Sequence, residues 1–182
     1  IEMVDKVISH YGQIDILVNN AGMASGTASE DMTLEEWDKI IRLNLTGSFL
    51  VSREVGKHMI ARRYGKIINT CSIQGIRCTM GMPGTPYNSS KGGDIMMVRS
   101  LAAEWAQYGI TVNGIGPGYF PTDIDKEYLA TDYFKGQLAM HCPMGRIGRD
   151  GELNGVLIYF ASDASSYTTG QIMYVDGGWT LV

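Results

Sequence analysis

The sequence lacks the features that mark nucleic-acid-binding and membrane proteins. Its 182 residues include 15 Lys and Arg against 19 Asp and Glu, which gives a formal net charge of -4 at pH 7. An acidic chain without a basic patch is not expected to bind nucleic acid. No apolar run reaches the length that a membrane-spanning helix needs, so no membrane partner is predicted.

Cysteine and histidine are also scarce, with three of each. Cys71, Cys78 and Cys142 are odd in number and are not spaced as metal ligands, and the histidines form no cluster with them. We therefore predict no metal site. A reduced, cytoplasmic setting is the simplest interpretation of such cysteine usage.

What the chain does contain is an alternation of short apolar runs with longer segments of helical periodicity. This alternation is typical of an α/β fold, in which helices cover both faces of a doubly wound parallel sheet. The predicted strands are residues 14–18, 66–71, 110–115 and 171–175. The predicted helices are 1–11, 34–63 (opened by a capping box of Thr33 and Glu36), 87–108, a short one near 133–140, and one capped by Asp150 that runs to about Ala161.

Small or hydroxyl-bearing residues follow three of these strands. They are the Asn-Asn-Ala-Gly run at 19–22, Ser72, and the glycine-rich segment 116–122. In a parallel sheet the carboxyl ends of the strands share one edge, and ligands bind beyond that edge. The three segments therefore predict one common site.

Tyr87 and Lys91 lie four residues apart in a predicted helix, so both side chains fall on one helix face. Such a pair is more often a solvated surface pair, and a lone Ser72 is more typical of a turn. At a shared site, however, the lysine cation favours the phenolate and lowers the phenol's pKa. A hydroxyl from Ser72 could then hold a carbonyl oxygen beside that phenol, which suits the interconversion of an alcohol and a ketone.

The sequence resembles the short-chain dehydrogenase/reductase family over essentially its whole length. The motifs that carry the resemblance occur in family order: Asn19-Asn20-Ala21-Gly22, Leu43-Asn44-Leu45, Ser72, Tyr87-Asn-Ser-Ser-Lys91, Pro117-Gly118 and Asp176-Gly177-Gly178. Together they are highly specific. The resemblance implies a Rossmann-like domain and an oxidoreductase that uses NAD or NADP.

The resemblance also implies a role for each catalytic residue. Tyr87 would be the general acid in reduction and the base in oxidation. Lys91 would depress the pKa of that phenol and hold the nicotinamide ribose, and Ser72 would orient the carbonyl. Asn44 would hold a water that links Lys91 to solvent.

The dinucleotide would lie along the same edge, in contact with Tyr87 and Lys91. Its adenosine side is expected at Asn20, Ala21 and Gly22. Its nicotinamide end is expected at Pro117, Gly118, Phe120 and Thr122. The family's glycine-rich phosphate loop, and the second strand whose end distinguishes NAD from NADP, would precede residue 1, so the choice between the cofactors stays open.

The chain is about seventy residues shorter than is usual in the family. We therefore interpret residues 1–182 as a single Rossmann-like domain that forms the C-terminal part of a longer one, lacking the N-terminal phosphate-loop strands. Whether such a fragment is active alone stays open. One alternative is a truncated, catalytically impaired partner that binds cofactor or takes part in oligomers.

Substrate contacts are predicted from the slightly enlarged loop 75–86 and its surroundings. The candidates are Gln74, Arg77, Met82 and Tyr119, with Cys78, Met80 and a lid at 123–144. The gluconate/polyol and 3-oxoacyl reductase branches are the most similar, and a small-molecule sugar acid or polyol is favoured. Relatives assemble through the long helices and the C-terminal strand, so a homotetramer or homodimer is expected, with the apolar end at 179–182 in a contact.

Overall fold

The computed structural model describes residues 2–122 and 126–181. Its strands are β1 (Ile16–Asn19), β2 (Gly65–Thr70), β3 (Ile110–Pro117) and β4 (Ile172–Val175). Its α-helices are α1 (Glu2–Tyr11), α2 (Leu34–Ile41), α3 (Ser48–Arg62), α4 (Thr85–Trp105), α5 (Lys126–Leu129), α6 (Asp132–His141) and α7 (Asn154–Ala161). Short 3₁₀ turns occupy Ile73–Gly75, Ala106–Tyr108, Asp163–Ser165 and Trp179–Leu181.

The four strands form one parallel sheet in the order β1-β2-β3-β4. Each strand coincides with an apolar run of the kind that is typical of a buried parallel strand. In the central pair Ile67 lies opposite Val112, and both are fully buried. The predicted parallel α/β sheet is confirmed.

Neighbouring residues of β2 point to opposite faces of the sheet, as the pleat requires. Ile67 joins a core cluster with Met59 of α3 and Val98 of α4. Ile68 joins a different cluster, with Phe160 of α7. Helices therefore cover both faces, and the doubly wound, Rossmann-like architecture is confirmed.

The predicted long helix 34–63 is interrupted by a π-helical turn at Arg42–Gly47, between α2 and α3. This turn carries Asn44, which is 1% exposed. The Thr33 side chain accepts from the Glu36 N–H at 3.2 Å, as predicted for the helix start. In a capping box the Glu36 carboxylate would also accept from the Thr33 N–H. This half of the prediction is wrong, because the Glu36 carboxylate accepts from the hydroxyls of Ser25 and Thr27 instead.

The prediction that Asp150 caps a helix is also wrong. The chain turns at Gly151, whose φ of +85° favours glycine, and α7 begins only at Asn154. Glu152 is held in that turn by Arg146 and by the Arg149 N–H. Of the predicted lid, α5 and α6 are helical, and residues 123–125 lie outside the described part of the chain.

Two surfaces bear on the expected assembly. In β1, which lies at the edge of the described sheet, Ile16 and Val18 are each 43% exposed. Trp179 is buried within its own chain against Tyr119, whereas Leu181 is exposed.

No helix in the described ranges is long and apolar enough to cross a membrane, and the same residues hold no cluster of metal-ligating side chains.

Candidate active site

A cavity of about 280 Å³ opens at the carboxyl edge of the sheet. The ends of β2 and β3, the segment after β1 and the first turns of α4 meet there, so the three strand-end segments share one site as predicted. Its lining consists of Asn20, Gly22, Ala24, Ser25, Thr70, Cys71, Ser72, Ile73, Gln74, Met82, Pro83, Gly84, Tyr87, Asn88, Lys91, Pro117, Gly118, Tyr119, Phe120, Thr122 and Leu153.

Tyr87 and Lys91 both line this cavity from the first turns of α4. The Lys91 ammonium lies 5.7 Å from the centre of the Tyr87 ring. Lys91 is only 5% exposed, and its Nζ donates to the Thr70 carbonyl at the end of β2, at 2.6 Å. Because an ammonium has three protons, one anchors Lys91 to the strand and two remain for the site.

Ser72 lies two residues after the end of β2 and caps the 3₁₀ turn Ile73–Gly75. Its Oγ accepts from the Gln74 N–H at 3.1 Å. A hydroxyl that already accepts from the backbone still has its own proton to donate. Ser72 is therefore held so that it can donate a hydrogen bond into the cavity that Tyr87 also lines.

Asn44 lies behind the cavity, on the π-helical turn. Its side chain clamps Met23: Oδ1 accepts from the Met23 N–H at 2.9 Å, and Nδ2 donates to the Met23 carbonyl at 2.9 Å and to Ser90 Oγ at 3.0 Å. A Cβ on Gly22 would lie 3.6 Å from Asn44 Oδ1 and 3.9 Å from Lys91 Nζ. Asn44 thus fixes the backbone that passes beside the Lys91 ammonium.

The electrostatics of the site depend on burial. Desolvation lowers the pKa of Lys91, and the nearby Asp94 carboxylate opposes that effect. Burial raises the pKa of the Cys71 thiol, and Asp94 raises it further, so Cys71 is inert beside the cavity. The site therefore presents one buried ammonium among neutral polar groups.

A family model described as enoyl-(acyl carrier protein) reductase matches residues 1–180. The chain belongs to the short-chain dehydrogenase/reductase family. As a member, it is an NAD(P)-dependent oxidoreductase.

Among curated relatives, gluconate 5-dehydrogenase of Gluconobacter oxydans is 36% identical over 182 residues, covering 100% of this chain and 70% of the relative. The 3-oxoacyl-[acyl-carrier-protein] reductase of Thermotoga maritima is 40% identical over 99% of this chain and 72% of the relative. A crystal structure of a Burkholderia cenocepacia gluconate 5-dehydrogenase in complex with NADP and tartrate is 40% identical and superimposes with a TM-score of 0.94, covering 98% of this chain and 69% of that one.

Most residues predicted to contact the dinucleotide line the cavity of this short-chain dehydrogenase/reductase: Asn20, Gly22, Tyr87, Lys91, Pro117, Gly118, Phe120 and Thr122. Ala21, between two of them in sequence, is exposed outside the lining. Gly118 packs tightly on the turn after β4, because a Cβ there would lie 2.7 Å from the Asp176 Cα. The glycine thus lets the chain pass close to β4 before it enters the site.

Three of the predicted substrate residues, Gln74, Met82 and Tyr119, also line the cavity. Gln74 Nε2 donates to Thr79 Oγ1 at 2.8 Å and to the Tyr119 hydroxyl at 3.1 Å. The Tyr119 ring is buried edge-on against Phe134 of α6. These contacts tie Thr79, in the loop 75–86, to α6 through Gln74 and Tyr119.

Arg77 is placed differently from the prediction. It does not line the cavity; its Nη1 donates to the Trp179 carbonyl at 2.6 Å, and its Nη2 lies 3.1 Å from His141 Nδ1. The guanidinium is thus directed to the C-terminal segment, and Arg77, unlike the other three candidate substrate residues, is not part of the cavity lining. Cys78 and Met80, in the loop 75–86, are exposed and also lie outside the cavity lining.

Among the lining residues that sequence reasoning missed are Ser25, Asn88 and Leu153. Asn88 adjoins Tyr87 at the start of α4, and its position next to the predicted phenol was the available signal. Ser25 follows β1 in the same polar segment as Gly22. Leu153 lies far from both β1 and β2 in sequence, and no motif marks it.

Proposed function

We propose that this enzyme interconverts a secondary alcohol and a ketone on a sugar acid or polyol, as its gluconate 5-dehydrogenase relatives are named to do. The observation that carries the proposal is the single cavity lined together by Ser72, Tyr87 and Lys91 at the carboxyl edge of the sheet. Such a trio can hold and protonate one carbonyl oxygen.

In reduction, the Tyr87 phenol donates a proton to the carbonyl oxygen as negative charge develops on it, and in oxidation the phenolate removes that proton. The Ser72 hydroxyl donates a second hydrogen bond to the same oxygen. This bond strengthens as the charge develops, which stabilises the transition state more than the ground state.

Lys91 keeps a positive charge near Tyr87, which favours the phenolate. The hydrogen bond to the Thr70 carbonyl fixes the position of the Lys91 ammonium. Its two remaining protons can then donate to the cofactor ribose and to the water that carries protons to and from solvent. Asn44 fixes Met23 and the adjoining Gly22 beside that ammonium. We propose that Asn44 also holds the water that carries protons between Lys91 and solvent.

The lining residues fit a nicotinamide dinucleotide. Gly22 presents no side chain beside Lys91, and Asn20, Thr122 and the Lys91 ammonium supply donors for ribose and amide groups. When bound, the dinucleotide supplies or accepts the hydride. Several similar structures contain bound NADP, and we propose it over NAD here.

Among the described residues that line the cavity, the polar side chains carry no charge besides that of Lys91. Ser25, Gln74, Asn88 and the Tyr119 hydroxyl offer neutral donors and acceptors. Such groups suit the hydroxyls of a polyhydroxylated substrate.

A second candidate is a 3-oxoacyl substrate, favoured by the 40% identity to the Thermotoga maritima reductase. Met82, Pro83 and Leu153 give the cavity an apolar side that an acyl chain could contact. A comparison of gluconate, mannitol and a short 3-oxoacyl thioester under equal conditions separates the two candidates.

Tyr87→Phe tests the chemistry itself. Loss of the phenol proton is expected to lower kcat by about 10²–10⁴-fold, while dinucleotide affinity stays within a few-fold, because the ring remains in place. Dinucleotide affinity is measured by fluorescence titration. Tyr167→Phe, which changes a fully exposed phenol outside the cavity lining, is the control and should retain kcat. A Tyr87→Phe variant with wild-type turnover contradicts the role given to Tyr87, whereas a wild type that binds dinucleotide without turnover favours a non-catalytic binding partner.

We further propose that residues 1–182 act as one Rossmann-like domain that belongs to a homotetramer or homodimer in the cytoplasm. Exposed apolar side chains support the assembly: Phe49 and Leu50 on α3, Met96 on α4, and Ile158 on α7. The free thiols Cys71, Cys78 and Cys142 support a reducing compartment. Sedimentation as a monomer at micromolar concentration would contradict the assembly.

A further inference from the structure

A carboxylate is buried directly behind the proposed site. Asp94 of α4 is 2% exposed, and the helix periodicity places it on the same face as Tyr87 and Lys91. Its neighbours Ile95 and Val98 belong to the main apolar core. A buried charge is costly unless it is paired and hydrogen-bonded, so this position requires a reason.

The carboxylate is held in place by polar side chains from the strands. Asp94 Oδ1 accepts from Asn69 Nδ2 at 2.6 Å, and Asn69 Oδ1 accepts from Asn19 Nδ2 at 3.0 Å. Asn19 Nδ2 also donates to Ser52 Oγ of α3 at 2.8 Å. This chain of neutral groups, which starts in α3 and crosses β1 and β2, orients Asp94 without neutralising it.

The titratable groups that act on Asp94, among the described residues, come from two elements. Lys91 lies one turn earlier on α4, and Cys71 follows β2. Lys91 in turn is acted on by Asp94 and Cys71, and the centre of the Tyr87 ring lies 5.7 Å from its Nζ. Since the Cys71 thiol stays neutral, Asp94 is the anionic group facing the Lys91 ammonium in this set.

We propose that Asp94 is a positioning residue, whose buried negative charge keeps Lys91 protonated in a site that would otherwise favour a neutral amine. The proposal rests on the role given above to Lys91. Burial lowers the pKa of Lys91 and the Asp94 charge raises it, so removal of that charge leaves burial unopposed. Burial also raises the pKa of Asp94, and the Lys91 charge lowers it, which makes the two charges mutually supporting.

Asp94→Asn tests the proposal, because the amide keeps an oxygen that can accept from Asn69. The readout is the rate at which Lys91 is acetylated by acetic anhydride, followed by peptide mass spectrometry from about pH 6 to pH 10. Only the neutral amine reacts, so the rate reports the protonation of Lys91 without any need for turnover. We expect acetylation of Lys91 at about pH 8 to rise about threefold or more in Asp94→Asn.

Glu54→Gln is the matched control, since Glu54 is also a buried carboxylate but lies on α3 with Arg53 and Lys57 as its partners. It should leave the Lys91 rate unchanged. Asp94→Leu removes the charge without needing polar partners and should raise the rate in the same direction if Asp94→Asn folds poorly. Equal Lys91 rates in the wild type and in a folded Asp94 variant overturn the proposal.

Turnover gives an independent check. In Asp94→Asn the alkaline limb of the kcat/KM profile for ketone reduction should move to lower pH, and in Glu54→Gln it should not. If the acetylation rate changes but no substrate is turned over by the wild type, the proposed function fails while the role of Asp94 stands.

Discussion

Replacement of Asn44 by alanine tests how the π-helical turn supports the site. The substitution removes three hydrogen bonds from a side chain that is 1% exposed. Ser90 keeps a partner, because its hydroxyl also donates to the Tyr87 carbonyl at 2.7 Å. The Met23 N–H and carbonyl lose theirs, at about 1–3 kcal/mol for each buried group left unsatisfied.

Met23 is only partly buried, so water recovers some of that loss. We therefore expect Asn44→Ala to lower the free energy of unfolding by about 2–4 kcal/mol. For a chain of this size that corresponds to a fall in Tm of about 5–15 °C. Thermal and urea unfolding followed by circular dichroism measure both quantities.

Asn113 offers a matched control away from the cavity. It is 1% exposed, its Nδ2 donates to the Thr168 carbonyl at 2.8 Å, and its Oδ1 accepts from the Gln171 N–H at 3.1 Å. Asn113→Ala should cost a similar free energy. At a temperature where both variants are folded, only Asn44→Ala should lose kcat/KM, by about tenfold or more, because Gly22 and Met23 shift beside Lys91.

Two results would refute this reasoning. A loss of stability below about 1 kcal/mol in Asn44→Ala would show that water replaces the lost hydrogen bonds. Equal retention of kcat/KM in Asn44→Ala and Asn113→Ala would show that the clamp on Met23 is structural alone.

Two further predictions concern the C-terminal half. Bonds from Arg146 and the Arg149 N–H lower the pKa of Glu152 to about 2, so its stabilisation is present above the unfolded pKa and is lost as the pH falls towards 2. Glu152→Gln should flatten the dependence of Tm on acid pH relative to the exposed control Glu35→Gln; parallel curves would contradict it. Gly118→Ala should cost about 1–3 kcal/mol and weaken dinucleotide binding in titration, because its Cβ would lie 2.7 Å from a backbone atom. Gly136→Ala, with open space in α6, should be neutral or stabilising, and equal effects of the two substitutions would contradict the argument.

The sheet and its active edge were predictable because both follow from local patterns. Apolar runs mark buried strands whatever their surroundings, and parallel strands bring Ser72 and Gly118 to one edge. The four-residue spacing of Tyr87 and Lys91 likewise fixes a shared helix face.

Other features depend on partners that are distant in sequence. The direction of Arg77 is set by the Trp179 carbonyl, about a hundred residues later, and no local pattern reveals it. The Glu36 carboxylate could accept from the Thr33 N–H or from nearby hydroxyls. It accepts from Ser25, which lies in a polar segment eleven residues earlier in the sequence. Asp94 is a carboxylate next to the apolar residues Ile95 and Val98 on the buried side of α4, a signal that sequence reasoning could have used.

The widened turn at Arg42–Gly47 has a consequence for how this helix tolerates changes in length. A π turn accommodates one more residue than an α-helical turn would, and each residue of helix rotates the following side chains by about 100°. Deleting one residue there would let the backbone relax into an uninterrupted α-helix while α2 and α3 stay packed against the core. The helix would still form after the deletion, but the Asn44 amide would no longer be directed at the Met23 backbone.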